Sequence, residues 1–324
     1  MAISGNRRPV RAIRYIMQAA ILLAGALGVL AQMAPPAPPL PDDEPGLTFR
    51  TSIDLVMLNA AVFDGQRRLV TGLPREAFRV TQDGRPVVLR EFANRDVPVS
   101  LGLVLDSSAS MVDKRLQSVA GAVELMRGSK PQDEVFYVDF KDTVDVVQGF
   151  TNDFAKVENA LNRTRLFGGT AVMDALRVGI EQMKKASRDK KVIVLLTDGE
   201  DDSSEIGLPT LLSLLQKADV TVYTIGLLSQ ESSGRRRNAE RFLKEAARVS
   251  GGVAYFPTNV EQVQLLGQTI AHDIRNQYVL GYQVPPGTPR GFRAIKVTAE
   301  LKQRGKLTVR TRTGYYYDPN ATAR

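Results

Sequence analysis

Apolar residues recur along this chain with two different periods, and the change of period marks its parts. From residue 49 to 57 the odd positions Phe49, Thr51, Ile53, Leu55 and Met57 are interleaved with Arg50, Ser52 and Asp54. A period of two predicts a half-buried strand, here with the odd side inward. Asp64-Gly65 marks a turn. Phe78 to Thr81 and Val87 to Leu89 flank Gln82-Asp83-Gly84, which predicts a hairpin whose Asp-Gly pair takes positive φ angles. The same period returns near the other end. Ile295, Val297, Ala299 and Leu301 alternate, a turn follows at 303–306, the chain returns over 307–311, and Tyr315-Tyr316-Tyr317 reads as an edge strand. Residues 47–96 and 277–317 are each too short to bury a comfortable core alone. They are expected to join in one small, all-β, sandwich-like domain, with the chain between them inserted.

Residues 97–276 read differently. Apolar runs at 99–105, 134–140, 192–196, 220–227 and 253–256 alternate with helical stretches at 115–125, 171–183, 208–215, 239–249 and 260–274. In the first helix Leu116, Val119, Val123 and Met126 share a face; in the last, Val263, Leu266, Ile270 and Ile274 do. Strands alternating with helices predict a doubly wound α/β fold, a mostly parallel sheet with helices on both faces.

Ahead of these parts lies a different composition. Arg7, Arg8, Arg11 and Arg14 precede a run from Ile16 to Ala34 broken only by Gln18 and Gln32. Residues 1–31 therefore read as a signal peptide with a small-residue cleavage site at Ala31, or as an uncleaved anchor. Either form exports the rest to the periplasm, the cell envelope or the medium, with membrane contact only through this segment if it stays attached. Residues 32–46, which include Ala34-Pro35-Pro36-Ala37-Pro38-Pro39, read as an extended polyproline spacer. The 324 residues carry a net charge of +8, but four of the positive charges lie in the leader and no basic stripe is interleaved with aromatics. Nucleic acid is not an expected partner. With no Cys and one His, His272, the chain excludes disulfides, thiolate metal sites and Cys nucleophiles, and a His-rich metal site as well. His272 reads as a solvated position on the last helix, and Arg235-Arg236-Arg237 as a solvated loop.

In a doubly wound sheet, ligands bind beyond the carboxyl ends of the strands. Three loops there carry oxygen donors: Asp106-Ser107-Ser108-Ala109-Ser110, Gly168-Gly169-Thr170, and Thr197-Asp198-Gly199-Glu200-Asp201-Asp202. Hard dications take oxygen ligands, and Mg2+ takes a near-octahedral set. Ser108 and Ser110 offer hydroxyls, Asp106 and Asp198 supply charge directly or through water, and Thr170 offers a fifth oxygen. Two carboxylates neutralise a dication and leave room in its shell for a carboxylate from outside. Gly168-Gly169-Thr170 lacks the lysine of a phosphate loop, and no nucleophile elbow occurs.

Asp-x-Ser-x-Ser, Gly-Gly-Thr and Thr-Asp-Gly, each after its strand, resemble the metal-ion-dependent adhesion site of von Willebrand factor type A domains. The resemblance implies that Asp106, Ser108, Ser110, Thr170 and Asp198 hold Mg2+ (or Mn2+ or Ca2+), with Ser107, Gly169, Glu200 and Asp201 on a partner-binding rim. Gly72-Leu73 to Phe78, Tyr278-Val279-Leu280-Gly281-Tyr282 and Arg312-Thr313-Gly314-Tyr315-Tyr316 resemble exported bacterial proteins of this kind, of the acidobacterial type. The implied function is non-enzymatic: an exported protein-binding, adhesion-type module in which an Asp or Glu of a protein partner completes the metal's shell. A structural envelope component whose metal only steadies the loops is the alternative. A metal-dependent hydrolase is a third reading, weakened by the want of a general base other than Glu200 or Asp201.

Overall fold

Strand β5 (Val99–Asp106) is buried along its whole length, as an apolar run covered on both faces requires. It is central to a six-stranded sheet together with β6 (Glu134–Phe140), β7 (Val144–Thr151), β8 (Lys190–Thr197), β9 (Thr221–Gly226) and β10 (Ala254–Tyr255), in the order β10-β9-β8-β5-β6-β7. Every pairing is parallel except that of β6 with the edge strand β7. The computed structural model describes residues 55–94, 96–199, 201–301 and 305–319, all within the unit Ser52–Arg324. The leader, the spacer and residues 49–54 lie outside them.

Helices α1 (Arg115–Arg127), α2 (Phe154–Arg163) and α6 (Val260–Arg275) cover one face of this sheet. Helices α3 (Val172–Met183), α4 (Leu208–Lys217) and α5 (Ser233–Ser250) cover the other. The doubly wound expectation holds. The face of α1 differs from the reading: Leu116 is 85% exposed, and the buried stripe is Ser118, Gly121, Ala122, Leu125 and Met126. Small residues take the inner side because α6 lies almost against the α1 backbone. A Cβ on Gly267 would sit 2.6 Å from the carbonyl oxygen of Gly121, and one on Gly121 would sit 2.8 Å from Val263. Arg235, Arg236 and Arg237 are helical, in the first turns of α5, where Arg236 pairs with Glu240 at 3.0 Å.

The flanks of this unit build two four-stranded antiparallel sheets. One holds β1 (Leu55–Phe63), β4 (Leu89–Ala93), β11 (Tyr278–Gln283) and β13 (Thr308–Arg310); the other holds β2 (Phe78–Gln82), β3 (Arg85–Val87), β12 (Gly291–Ala299) and β14 (Gly314–Tyr317). The β2–β3 turn has positive φ at Asp83 and Gly84, as its residues predict. Two expectations are corrected. In β1 the even residues Val56, Leu58, Ala60 and Val62 face the sandwich core, and Leu55 is 41% exposed. The parity misleads because the opposite face is half-covered too, with Met57 and Asn59 lining a cavity that also touches Lys190. The return over 307–311 does not lie along β12. It crosses to the other sheet and pairs with β1; among the described residues the bridge of Glu300 with Lys306 is what remains of the expected return.

The hydroxyls of three buried tyrosines in the sandwich are partnered. Tyr278 donates to the carbonyl of Val70 at 3.0 Å and accepts from the amide of Leu73 at 2.9 Å. Tyr282 and Tyr315 both donate to Oε1 of Gln82, at 2.9 and 3.0 Å.

Candidate functional site

The strand order places β6 on one side of β5 and β8 on the other, so the chain winds away in both directions from the β5–β8 pair. The crevice at such a switch point lies beyond the carboxyl ends of those two strands. Asp106 ends β5 and Asp198 follows β8. The three donor loops are stitched together there by their own backbones. The amide of Phe167 donates to the carbonyl of Ser107 at 3.0 Å, and that of Ala109 to the carbonyl of Gly168 at 3.2 Å. The amides of Asp202 and Ser203 donate to the carbonyl of Thr170 at 3.1 and 3.2 Å. Gly168, at φ +79°, makes the turn that a side chain would oppose.

Asp106 is fully buried. Its Oδ1 accepts the amide of Ser108 at 2.8 Å and its Oδ2 accepts the hydroxyl of Thr197 at 2.5 Å. Burial pushes its carboxyl up to about 6 and the charge of Asp198 adds to this, while the bonds from Ser108 and Thr197 restrain it. Ser108 and Ser110 have their hydroxyl oxygens 3.1 Å apart, and Ser110 donates to Oδ1 of buried Asp198 at 2.9 Å. Thr170 is buried, and a Cβ on Gly199 would lie 3.7 Å from its Oγ1, so its hydroxyl faces the Asp198 loop.

These spacings test whether a dication fits. Adjacent oxygens of an octahedron with bonds of about 2.0–2.1 Å lie about 2.9 Å apart. The Ser108–Ser110 and Ser110–Asp198 separations are close to that edge. Two carboxylates and three hydroxyls are oxygen donors, the type that hard dications take. Among the described residues no three of His, Asp and Glu form a metal-binding group, so hydroxyls are needed for any such site here.

The rim residues are placed less uniformly. Ser107 is fully buried and points beneath the loop, its hydroxyl donating to Asp139. Gly169 approaches Asp202 so closely that a Cβ would meet its Oδ1 at 2.7 Å. Asp201 Oδ2 accepts the amide of Met173 at 2.8 Å, at the start of α3, and Asp202 Oδ1 accepts the amide of Thr170 at 2.7 Å. These carboxylates hold loop and helix backbone, a common place for acids. Glu200 lies outside the described residues. His272 is exposed.

Three residues with clear roles in this site carry no assignment from the sequence. Thr197 fixes Asp106. Asp139 gathers Ser107, the hydroxyl of Tyr137 at 3.0 Å and the ammonium of Lys141 at 3.5 Å. Burial and the nearby Asp139 charge push the phenol of Tyr137 up to about 12. An acid inside the apolar run 134–140 is the signal that could have pointed to it. Lys114 closes the 3-10 turn Ala109–Lys114, and its ammonium is paired with Oδ2 of Asp198, both side chains being buried.

Residues 101–200 match the model of the von Willebrand factor type A domain. The chain is 29% identical to an uncharacterised protein of Synechocystis over 184 residues, 54% of this chain and 41% of that protein. It is 26% identical to mouse inter alpha-trypsin inhibitor heavy chain 4 over 140 residues, 38% of this chain and 15% of that protein. The chain thus spans less than half the length of either relative. Among solved structures, the von Willebrand factor type A protein from Catenulispora acidiphila is similar at a TM-score of 0.50 and 14% identity, covering 85% of this chain and 78% of that one. The central sheet with its six helices is a von Willebrand factor type A fold, related to bacterial proteins that carry it.

Proposed function

We propose that this chain is an exported, cation-dependent protein-binding module of the bacterial type A kind and not an enzyme. Asp106, Ser108, Ser110, Thr170 and Asp198 would hold the divalent cation, Mg2+ or a close substitute. When bound, the cation supplies a Lewis-acidic position for a carboxylate of a protein partner. The observation that carries this reading is the meeting of three separate loops at the β5–β8 switch point, where the Ser110 hydroxyl lies 3.1 Å from that of Ser108 and 2.9 Å from the Asp198 carboxylate. The loops are held by backbone bonds before any ligand arrives, which lowers the ordering cost of binding. Val112, 61% exposed, and Phe167, 52% exposed, flank the first two donor loops and offer apolar contact around the site. Both oxygens of Asp201, one of the two acids named above as a possible base, accept from Met173 and Ser204, which favours binding over hydrolysis. Export rests on the residue pattern of 1–31.

A structural envelope role is favoured by one observation, the ion pair of Lys114 with Asp198, by which the chain neutralises part of its own site. Calorimetric titration of Mn2+ into the chain and into Asp106→Ala tests the metal. Binding by the chain and none by the variant is the expected result; equal heats in both remove the site from the account. Capture of a protein partner that chelator releases then supports the adhesive role, and a partner retained in chelator favours the structural one.

A further inference from the structure

We infer that Lys114 is the resident counter-cation of this site and that it determines how tightly a divalent cation binds there, because both compete for Asp198. The inference rests on the metal reading above and adds a residue to it. Asp198 is 0% exposed and Lys114 is 6% exposed. Oδ2 of Asp198 carries the ammonium while Oδ1 accepts from Ser110. Both oxygens of this carboxylate are thus occupied from within the chain, one by a full positive charge.

A dication and an ammonium on one buried carboxylate repel each other with little water between them. Binding of the dication therefore expels Lys114 from Asp198. The lysine can leave: it sits at the junction of the 3-10 turn with α1, and its stem is flexible with a strongly hydrated head. Its backbone carbonyl stays fixed, since Ser118 donates to it at 2.9 Å. Without a dication, the same ammonium compensates the buried charge of Asp198. Breaking a buried pair by removing one partner leaves an uncompensated charge. A neutral side chain of similar length at position 114 then acts twice, removing the competitor and raising the energy of the cation-free state. Both effects tighten divalent binding.

The test titrates Mn2+ into the full chain and into Lys114→Met by calorimetry. In parallel, wild-type lysines are acetylated with and without Mn2+ and read by peptide mass spectrometry. The expected result is binding tighter by about tenfold or more in Lys114→Met, with Mn2+ raising acetylation of Lys114 but not of Lys190, which is buried at the other pole of the sheet. Equal affinities together with unchanged acetylation of Lys114 overturn the inference and leave the metal reading intact. Binding by Lys114→Met alone supports the inference and overturns the metal-dependent function of the natural chain. No Mn2+ binding by either protein overturns both. If Lys114→Met does not fold, the acetylation pattern of the wild-type chain decides.

Discussion

Lys190 is 2% exposed, and its ammonium donates to the carbonyl of Ile274. Burial first, and the charge of Arg275 second, pull it down from 10.5 to about 8. Between those values the unfolded chain holds this proton and the folded chain does not, so stability rises with pH across the window and the penalty is fully present below it. Relative to Lys190→Met, the wild-type chain should gain on the order of 3 kcal/mol between about pH 8 and about pH 10.5. Urea unfolding of both proteins at the two pH values measures the difference, and parallel curves would contradict it. At this scale the loops that carry Asp106 and Asp198 were legible, because each follows an apolar run that announces its strand. Lys114 and Asp139 were not. Their partners come from other loops, and one-dimensional spacing does not reveal which loops meet.

Helices α1 and α6 show why an element can be legible while its orientation is not. Their apolar periodicity is present, yet α1 turns Ser118, Gly121 and Ala122 inward because the close approach of α6 admits only small side chains. Gly267→Ala places a methyl against the backbone of α1, which cannot yield as a side chain can. A loss of about 2 kcal/mol is expected from such overpacking, checked by the denaturant midpoint. The far end of α6 is pinned from three directions. Lys190 holds the carbonyl of Ile274, Arg275 pairs with Asp96 at 3.1 Å and with Asp133, and Arg310 from β13 pairs with Asp273. Arg310→Met leaves Asp273 buried with Tyr223 as its remaining donor, at 2.9 Å. A cost of about 3 kcal/mol is expected, with faster hydrogen exchange over 260–275. Unchanged exchange there would show that the clamp does not restrain the helix.

Across the whole molecule the fold class and the β2–β3 hairpin were legible, and the pairing of the C-terminal strands was not. Alternating periods separate the α/β unit from the β flanks, but nothing in residues 307–311 tells that they leave β12 for β1. Parity was misread in β1 for a related reason: when both faces of a strand are covered, alternation no longer names the inner one. The same coverage joins the two parts energetically, since Arg310 and Arg312 of the C-terminal flank reach Asp273 and Asp219 of the α/β unit. One cooperative unfolding transition is expected, seen at the same midpoint by far-UV and near-UV circular dichroism; two separated transitions would count against it.

Strand β4 delivers the chain to the α/β unit, and β11, its hydrogen-bonded neighbour, takes it back, with Val279 opposite Ala93 and Leu280 opposite Phe92. Entry and exit are therefore only about 5 Å apart. A pull on the two chain ends runs through the paired strands of the sandwich, while the unit that carries the candidate site hangs from it as a side branch. A pull applied to the two flanks reaches Asp106 and Asp198 only after the β4–β11 rungs have unzipped.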